Sequence, residues 1–233
     1  MITETSTTQQ RSTIGVGVLA RPNGSRRLCA FLLIHLFLLL AAAHSVPAQS
    51  SQQFDVKTIT NDVKNRYKLN AHDVRAIQPL IDSENKKVVK IYARFCSNEP
   101  EYSARVWMQF VEERLSFESG LSTRLTAKQK EALRSARSRM ERRVVGYIVN
   151  DYVGFLSQVL ELSDFEFNDV HNVFESESGR KLWAISDYLN NPTRLEKALD
   201  EISNETDAKL RRILSPDQWQ SYLELTNSFT LIA

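Results

Sequence analysis

Residues that make turns, bind metals or carry redox chemistry are scarce in this chain. Its 233 residues include two cysteines, seven glycines, six prolines and four histidines. Beyond Ala48 only Cys96, Gly120, Gly146, Gly154, Gly179, Pro79, Pro100, Pro192, Pro216, His72 and His171 remain of these types. A single cysteine closes no internal disulfide, so this part has to be held by an apolar core. Cys96 itself reads as a small buried apolar residue, with an intermolecular bridge as the alternative. Neither histidine has a second His or Cys one turn away, which leaves a zinc site without its ligands. Asn168 stands where a Glu-x-x-His iron motif would need its Glu. There is no Gly-x-Ser-x-Gly, no His-Glu-x-x-His and no glycine-rich phosphate loop. The acid pairs Glu112-Glu113 and Glu175-x-Glu177 read as solvated helix faces rather than as a glycosidase pair, which needs a cleft between its members. We therefore expect no catalytic residue, no metal and no cofactor. Few turn formers beside abundant Leu, Glu, Lys, Arg and Ala favour long helices over short strands. The expected fold is all-α, a bundle of about five to seven helices, some long and kinked.

The first 48 residues read as a leader. Arg26 and Arg27 precede an apolar run from Leu28 to Ala43, and Val46-Pro47-Ala48 fits a small-residue cleavage site. The run is shorter than the ~20 residues of a comfortable membrane span, and no positive flank follows it. Cleavage is expected after Ala48, leaving 49–233 as one helical domain in a periplasmic or secreted setting. Removing Arg11, Arg21, Arg26, Arg27 and Glu4 takes the charge from 30 basic and 28 acidic residues to 26 and 27, a net of −1. No global charge then favours nucleic acid, and none is expected as a partner. On a eukaryotic secretory route, Asn204-Glu205-Thr206 would be a glycan acceptor.

What the chain does have is a repeated pentad: Leu69-Asn70-Ala71-His72-Asp73, Leu125-Thr126-Ala127-Lys128-Gln129, Leu162-Ser163-Asp164-Phe165-Glu166 and Leu214-Ser215-Pro216-Asp217-Gln218. Each reads as a helix start. Asn70, Thr126, Ser163 and Ser215 cap free backbone N–H groups, and Asp73, Gln129, Glu166 and Gln218 reach back to the cap. The leucine can staple onto N4, which is Val74, Phe167 or Trp219 in three copies and Lys130 in the fourth. Around these starts we expect helices over 51–68, 70–95 (kinked at Pro79), 101–116, 126–160, 163–189, 193–213 and from Ser215 onward. Ser97-Asn98-Glu99-Pro100 is a stop, and Gly120 lies past the third helix. Leu115 and Trp183 are placed among the inward residues. The stretch from Val144 to Leu156 is apolar nearly all round and has to be buried on several sides or in an oligomer. A strand over 144–149 is the lesser reading, and a break near Gly146 or Gly154 is allowed.

Charge is unevenly distributed. Arg124, Lys128, Lys130, Arg134, Arg137, Arg139, Arg142 and Arg143 face only Glu131 and Glu141 within their stretch, whereas 160–179 contains six acids and no Lys or Arg. Basic side chains bordering apolar ones suit an unfolded or anionic polypeptide, with Lys130, Arg134, Arg137, Met140, Val144 and Tyr147 as the candidate client-binding face. A membrane surface would suit them too but is not favoured. The alternative is that the acidic helix packs beside the basic one and the charges pair.

The capped starts Leu125-Thr126-Ala127-Lys128-Gln129 and Ile213-Leu214-Ser215-Pro216-Asp217-Gln218 resemble the LTxxQ motifs of the Spy/CpxP family of periplasmic chaperones. The first matches in full; the second has Ser for Thr. The resemblance implies a small exported helical protein, often a homodimer, that binds unfolded chains without ATP. Three functions are thus in view: a chaperone-like binder, a structural or regulatory protein with one dedicated partner, and, last, an enzyme with a site of scattered acids.

Overall fold

A computed structural model describes residues 56–97, 104–121 and 123–230. The expected leader and cleavage site, the first residues expected for the leading helix and the stop at 98–100 lie outside the described residues. Among those described there are seven helices and no strand: α1 (Val56–Arg66), α2 (Ala71–Ser97), α3 (Ala104–Gly120), α4 (Ala127–Val159), α5 (Asp164–Tyr188), α6 (Pro192–Ile213) and α7 (Pro216–Thr230). The protein is an all-α bundle.

All four pentads fold as reciprocal caps. Asn70 Oδ1 accepts from Asp73 N at 2.8 Å, and Asn70 N donates to Asp73 Oδ2 at 3.2 Å. The same pair of bonds joins Thr126 to Gln129, Ser163 to Glu166 and Ser215 to Gln218. In each, the cap carbonyl then accepts the first intrahelical bond, from Val74, Lys130, Phe167 or Trp219. A cap of this kind contributes about 1 kcal/mol.

Two of the leucines also close the helix before them. Lys68 and Glu161 adopt left-handed backbone, with φ of 48° and 52°. Behind them, Leu69 N donates back to Lys64 O and Leu162 N to Ser157 O, the six-to-one bond of a Schellman ending. A four-residue joint therefore ends one helix and opens the next. The joints also meet in pairs. Gln129 Nε2 donates to Asp73 Oδ1 at 2.9 Å, and Gln218 Nε2 donates to Leu160 O at 3.2 Å while also bonding Glu166.

Because the starts of α2 and α4 touch, those two helices run parallel, with α1 antiparallel to both (Lys128 Nζ to Lys68 O, 2.7 Å). α4 is the axis of the bundle: α1, α2 and α5 pack on it, and α3 reaches it through side chains. α5 and α6 form a close hairpin, with α7 against α6. The core is a continuous cluster that includes Ile77, Ile81, Ile91, Phe110, Leu133, Ile148, Phe174 and Ile185.

α2 runs through Pro79 as expected, with the ring on the exposed face, where it costs one ladder bond to a carbonyl on the solvent side. α4 is one helix of 33 residues over the span expected for it, helical at 144–149 and unbroken at Gly146 or Gly154. Its apolar half buries Val144, Val145, Ile148, Val149, Tyr152, Val153 and Leu156. Three expectations are corrected, for Leu115, Trp183 and Cys96. Leu115 and Trp183 point outward, at 44% and 57% exposure, not inward. The inward places beside them are taken by Arg114 and Leu182. Cys96 is exposed, not buried.

Two measurements check the joints. Lys68→Gly removes a strained side-chain-bearing residue from left-handed backbone and raises stability by about 0.5–1 kcal/mol in urea unfolding. The Glu166 carboxyl is held below its ordinary value, chiefly by the bonds to Ser163. Its unfolded form thus takes up a proton first, so its contribution is present above the ordinary glutamate range and is lost as pH falls through the folded value. Glu166→Gln retains the box without titrating. Wild type should lose stability relative to it as pH falls below the ordinary glutamate range, and parallel curves would refute the assignment.

Candidate functional site

Charged residues interrupt the apolar stripes at matching levels of three helices. Glu84 sits between Ile81 and Val88 on α2, Arg114 between Val111 and Phe117 on α3, and Arg137 and Glu141 flank Met140 on α4. All four are buried, Arg137 completely. Arg137 Nε donates to Glu141 Oε1 at 2.7 Å and its Nη1 donates to Glu84. Arg114 Nη2 donates to the other oxygen of Glu141 and, at 3.3 Å, to Ser138 Oγ. Two cations against two anions leave no net buried charge. The one Arg137 nitrogen without a hydrogen bond belongs to a guanidinium stacked over the Phe117 ring, 5.6 Å from its centroid.

This network underlies an open groove. The α4 face of Glu131, Arg134, Ser135, Ser138 and Arg142 forms its floor. The end of α1 (Arg66, Tyr67), α3 (Arg114, Glu118) and the end of α5 (Ser186, Leu189, Asn190) form its walls. Arg134 is clamped by Glu118, with Nε 3.1 Å from both carboxylate oxygens and Nη2 2.8 Å from Oε2. These bonds hold its pKa above the ordinary arginine value. Arg66 lies against the Tyr67 ring, 5.8 Å from its centroid. Arg66 and Arg142 make no ion pair among the described residues. The lining carries four arginines against two glutamates, and both glutamates already face Arg134. With no histidine or cysteine in the lining, the groove offers guanidinium and hydroxyl groups that suit the binding and orienting of an anion. No group of three or more His, Cys, Asp or Glu converges among the described residues. His72 is exposed on α2, and His171 Nε2 pairs with Asn150 Oδ1 at 2.7 Å.

The six residues expected to form one client-binding face are split. Arg137, Met140 and Val144 are interior, at 0%, 1% and 0% exposure, because that stripe of α4 is the one α2 covers. Arg134 is in the groove, Lys130 is half-buried, and Tyr147 sits at the surface with its ring 6.0 Å from that of Tyr92. Nor do Arg134, Arg137 and Arg139 of the basic run pair with the acidic one. The ion pairs of Arg134, Arg137 and Arg139 go to Glu118, Glu131, Glu84, Glu141 and Asp62. The α4–α5 turn is tight, so the acids of 161–177 fold back beside the uncharged half of α4, and Glu177 pairs with Lys181 of its own helix at 2.6 Å. Arg66, Tyr67, Ser186 and Asn190 were not foreseen. They belong to helix ends, and only the folded chain brings them together.

Compared with known proteins, the chain matches no family model, no curated protein and no solved structure.

The buried network yields a stability prediction. Arg137→Met removes one of the two cations that each of Glu84 and Glu141 faces, leaving Lys87 and Arg114 as their remaining partners, and so leaves an excess of buried negative charge at a cost of about 3–5 kcal/mol. Arg134→Met, at the exposed clamp, costs about 1 kcal/mol or less. Equal losses in guanidinium unfolding would contradict the assignment.

Proposed function

We propose that the protein is an exported, non-catalytic helical binder that recognises a partner polypeptide through the α1–α3–α4–α5 groove. The observation that carries this reading is the pair Arg66 and Arg142, guanidinium groups of the wall and of the floor with no carboxylate partner among the described residues, beside the hydroxyls of Ser135 and Ser138. Their chemistry favours an acidic segment, with Arg134 as a pre-oriented third donor. The leader and the resemblance to the Spy/CpxP family support export and polypeptide binding. Within that reading, the groove lining supports a dedicated partner over a general chaperone. Tyr67 and Leu189 are its main apolar members, whereas the large exposed apolar side chains, Met108, Leu115, Phe165 and Trp183 among them, lie elsewhere. A binder of unfolded chains needs a contiguous apolar patch.

Calorimetric titration tests this. A short Asp/Glu-rich peptide should bind in low salt and a Lys-rich one should not. Arg66→Ala combined with Arg142→Ala should weaken binding by about tenfold or more. Indifference to that pair of substitutions would sink the groove. Suppression of aggregation of several unrelated unfolding proteins at near-stoichiometric ratio would move the reading to a general chaperone.

A further inference from the structure

Three arginines of α4 converge on an open cleft of about 350 Å³, lined among the described residues by Arg139, Arg142 and Arg143 alone. Arg139 stands one helical turn before both of the others, which sets their Cβ atoms about 5–6 Å from its own. Like charges at that spacing weaken a helix. Only one carboxylate answers the three. Asp62 of α1 accepts from Arg139 Nη1 at 2.5 Å and holds that side chain against the bundle. Arg142 and Arg143 are exposed and make no ion pair among the described residues. Three guanidiniums against one carboxylate leave the cleft with a net charge of +2. Gly146 follows on the same stripe of α4, where a Cβ would meet nothing within 4 Å, so no side chain obstructs approach from that end.

We infer that this cleft binds a phosphate dianion, either free phosphate or the phosphomonoester headgroup of a lipid. A carboxylate brings two oxygens and a single charge, which one guanidinium already satisfies in bidentate fashion. Three guanidiniums within reach of one point call for a ligand richer in acceptors and in charge. A phosphomonoester supplies three terminal oxygens and about −1.5 to −2 charges at pH 7, which matches the cleft. A phosphodiester has fewer of both. Arg139, anchored by Asp62, is the pre-oriented donor, and Arg142 and Arg143 close on the anion from the adjoining turn. Binding then relieves the repulsion among the three side chains as well as adding charge-assisted hydrogen bonds. The cleft meets the groove only at Arg142. Arg139 and Arg143 take no part in the groove lining, and Arg66 takes none in the cleft, so the two readings fail independently.

Titration of inorganic phosphate into the full chain, followed by calorimetry at constant ionic strength in sodium chloride, gives the test. Wild type should bind one phosphate saturably. Arg143→Gln should weaken binding by about tenfold or more, and Arg66→Gln should leave it unchanged. Arg143 has no ion pair to lose, so the circular-dichroism melt of that variant should match wild type. Lowering the pH from about 7.5 to about 5.5, through the second phosphate pKa of about 6, should weaken phosphate binding but not sulfate binding, because only phosphate loses charge. Phosphatidylcholine vesicles doped with phosphatidic acid separate the two sources. Capture of wild type but not of Arg143→Gln assigns the lipid headgroup, and phosphate binding without capture assigns the free ion. Absence of saturable binding, binding undiminished in Arg143→Gln, or equal capture by vesicles doped with the diester phosphatidylglycerol would overturn the proposal.

Discussion

The bundle depends on a circuit of buried charge, open at both ends. Glu84, Arg137, Glu141 and Arg114 tie α2, α4 and α3 at one level, and each interior group is engaged by an opposite charge. Such a circuit is a modest source of net stability, because desolvation offsets most of the attraction. Its effect is on register. Sliding α2 or α3 by one turn along α4 would leave a charge in the core without its partner, at a cost of several kcal/mol, so one alignment is selected. That alignment turns Ser135, Ser138 and Arg142 up between α1 and α3 and opens the groove. Arg114 belongs both to the circuit and to the groove wall, so the shape of the surface is fixed from below.

The ends of the elements are fixed by different means. Each leucine-led joint satisfies its own backbone groups, and the amides of Gln129 and Gln218 then bind the neighbouring joint. Helix starts are thus fastened to one another in pairs without help from the core. The first pair sets α2 parallel to α4, and the second brings the start of α7 to the start of α5.

Helix number, helix starts and the all-α class were legible in the sequence because capping is a local interaction, written within five residues. Most of the core was legible for the same reason, through helical spacing. What could not be read was which side of a charged stripe faces inward. Arg137 has the spacing of a boundary residue, and it is interior only because Glu84, 53 positions earlier, supplies its counter-ion. Leu115 and Trp183 show the converse. Their apolar character promised burial, but the inward places beside them on α3 and α5 are filled by Arg114 and Leu182. The signal for the circuit was nevertheless present: Glu84, Arg114 and Glu141 each occupy an apolar-stripe position, and charged residues at such positions require one another. The groove rim had no comparable signal, since Arg66 and Asn190 meet only through the fold.

The self-contained joints also bear on how such a chain ages. A core of leucines, isoleucines and valines tolerates exchange of one for another so long as volume is retained, so its identities drift freely. A joint tolerates little, because a hydroxyl or amide oxygen must lie within reach of a particular N–H group. Exchange within the core is therefore absorbed by its neighbours, whereas exchange within a joint is felt at once by the two helices it connects.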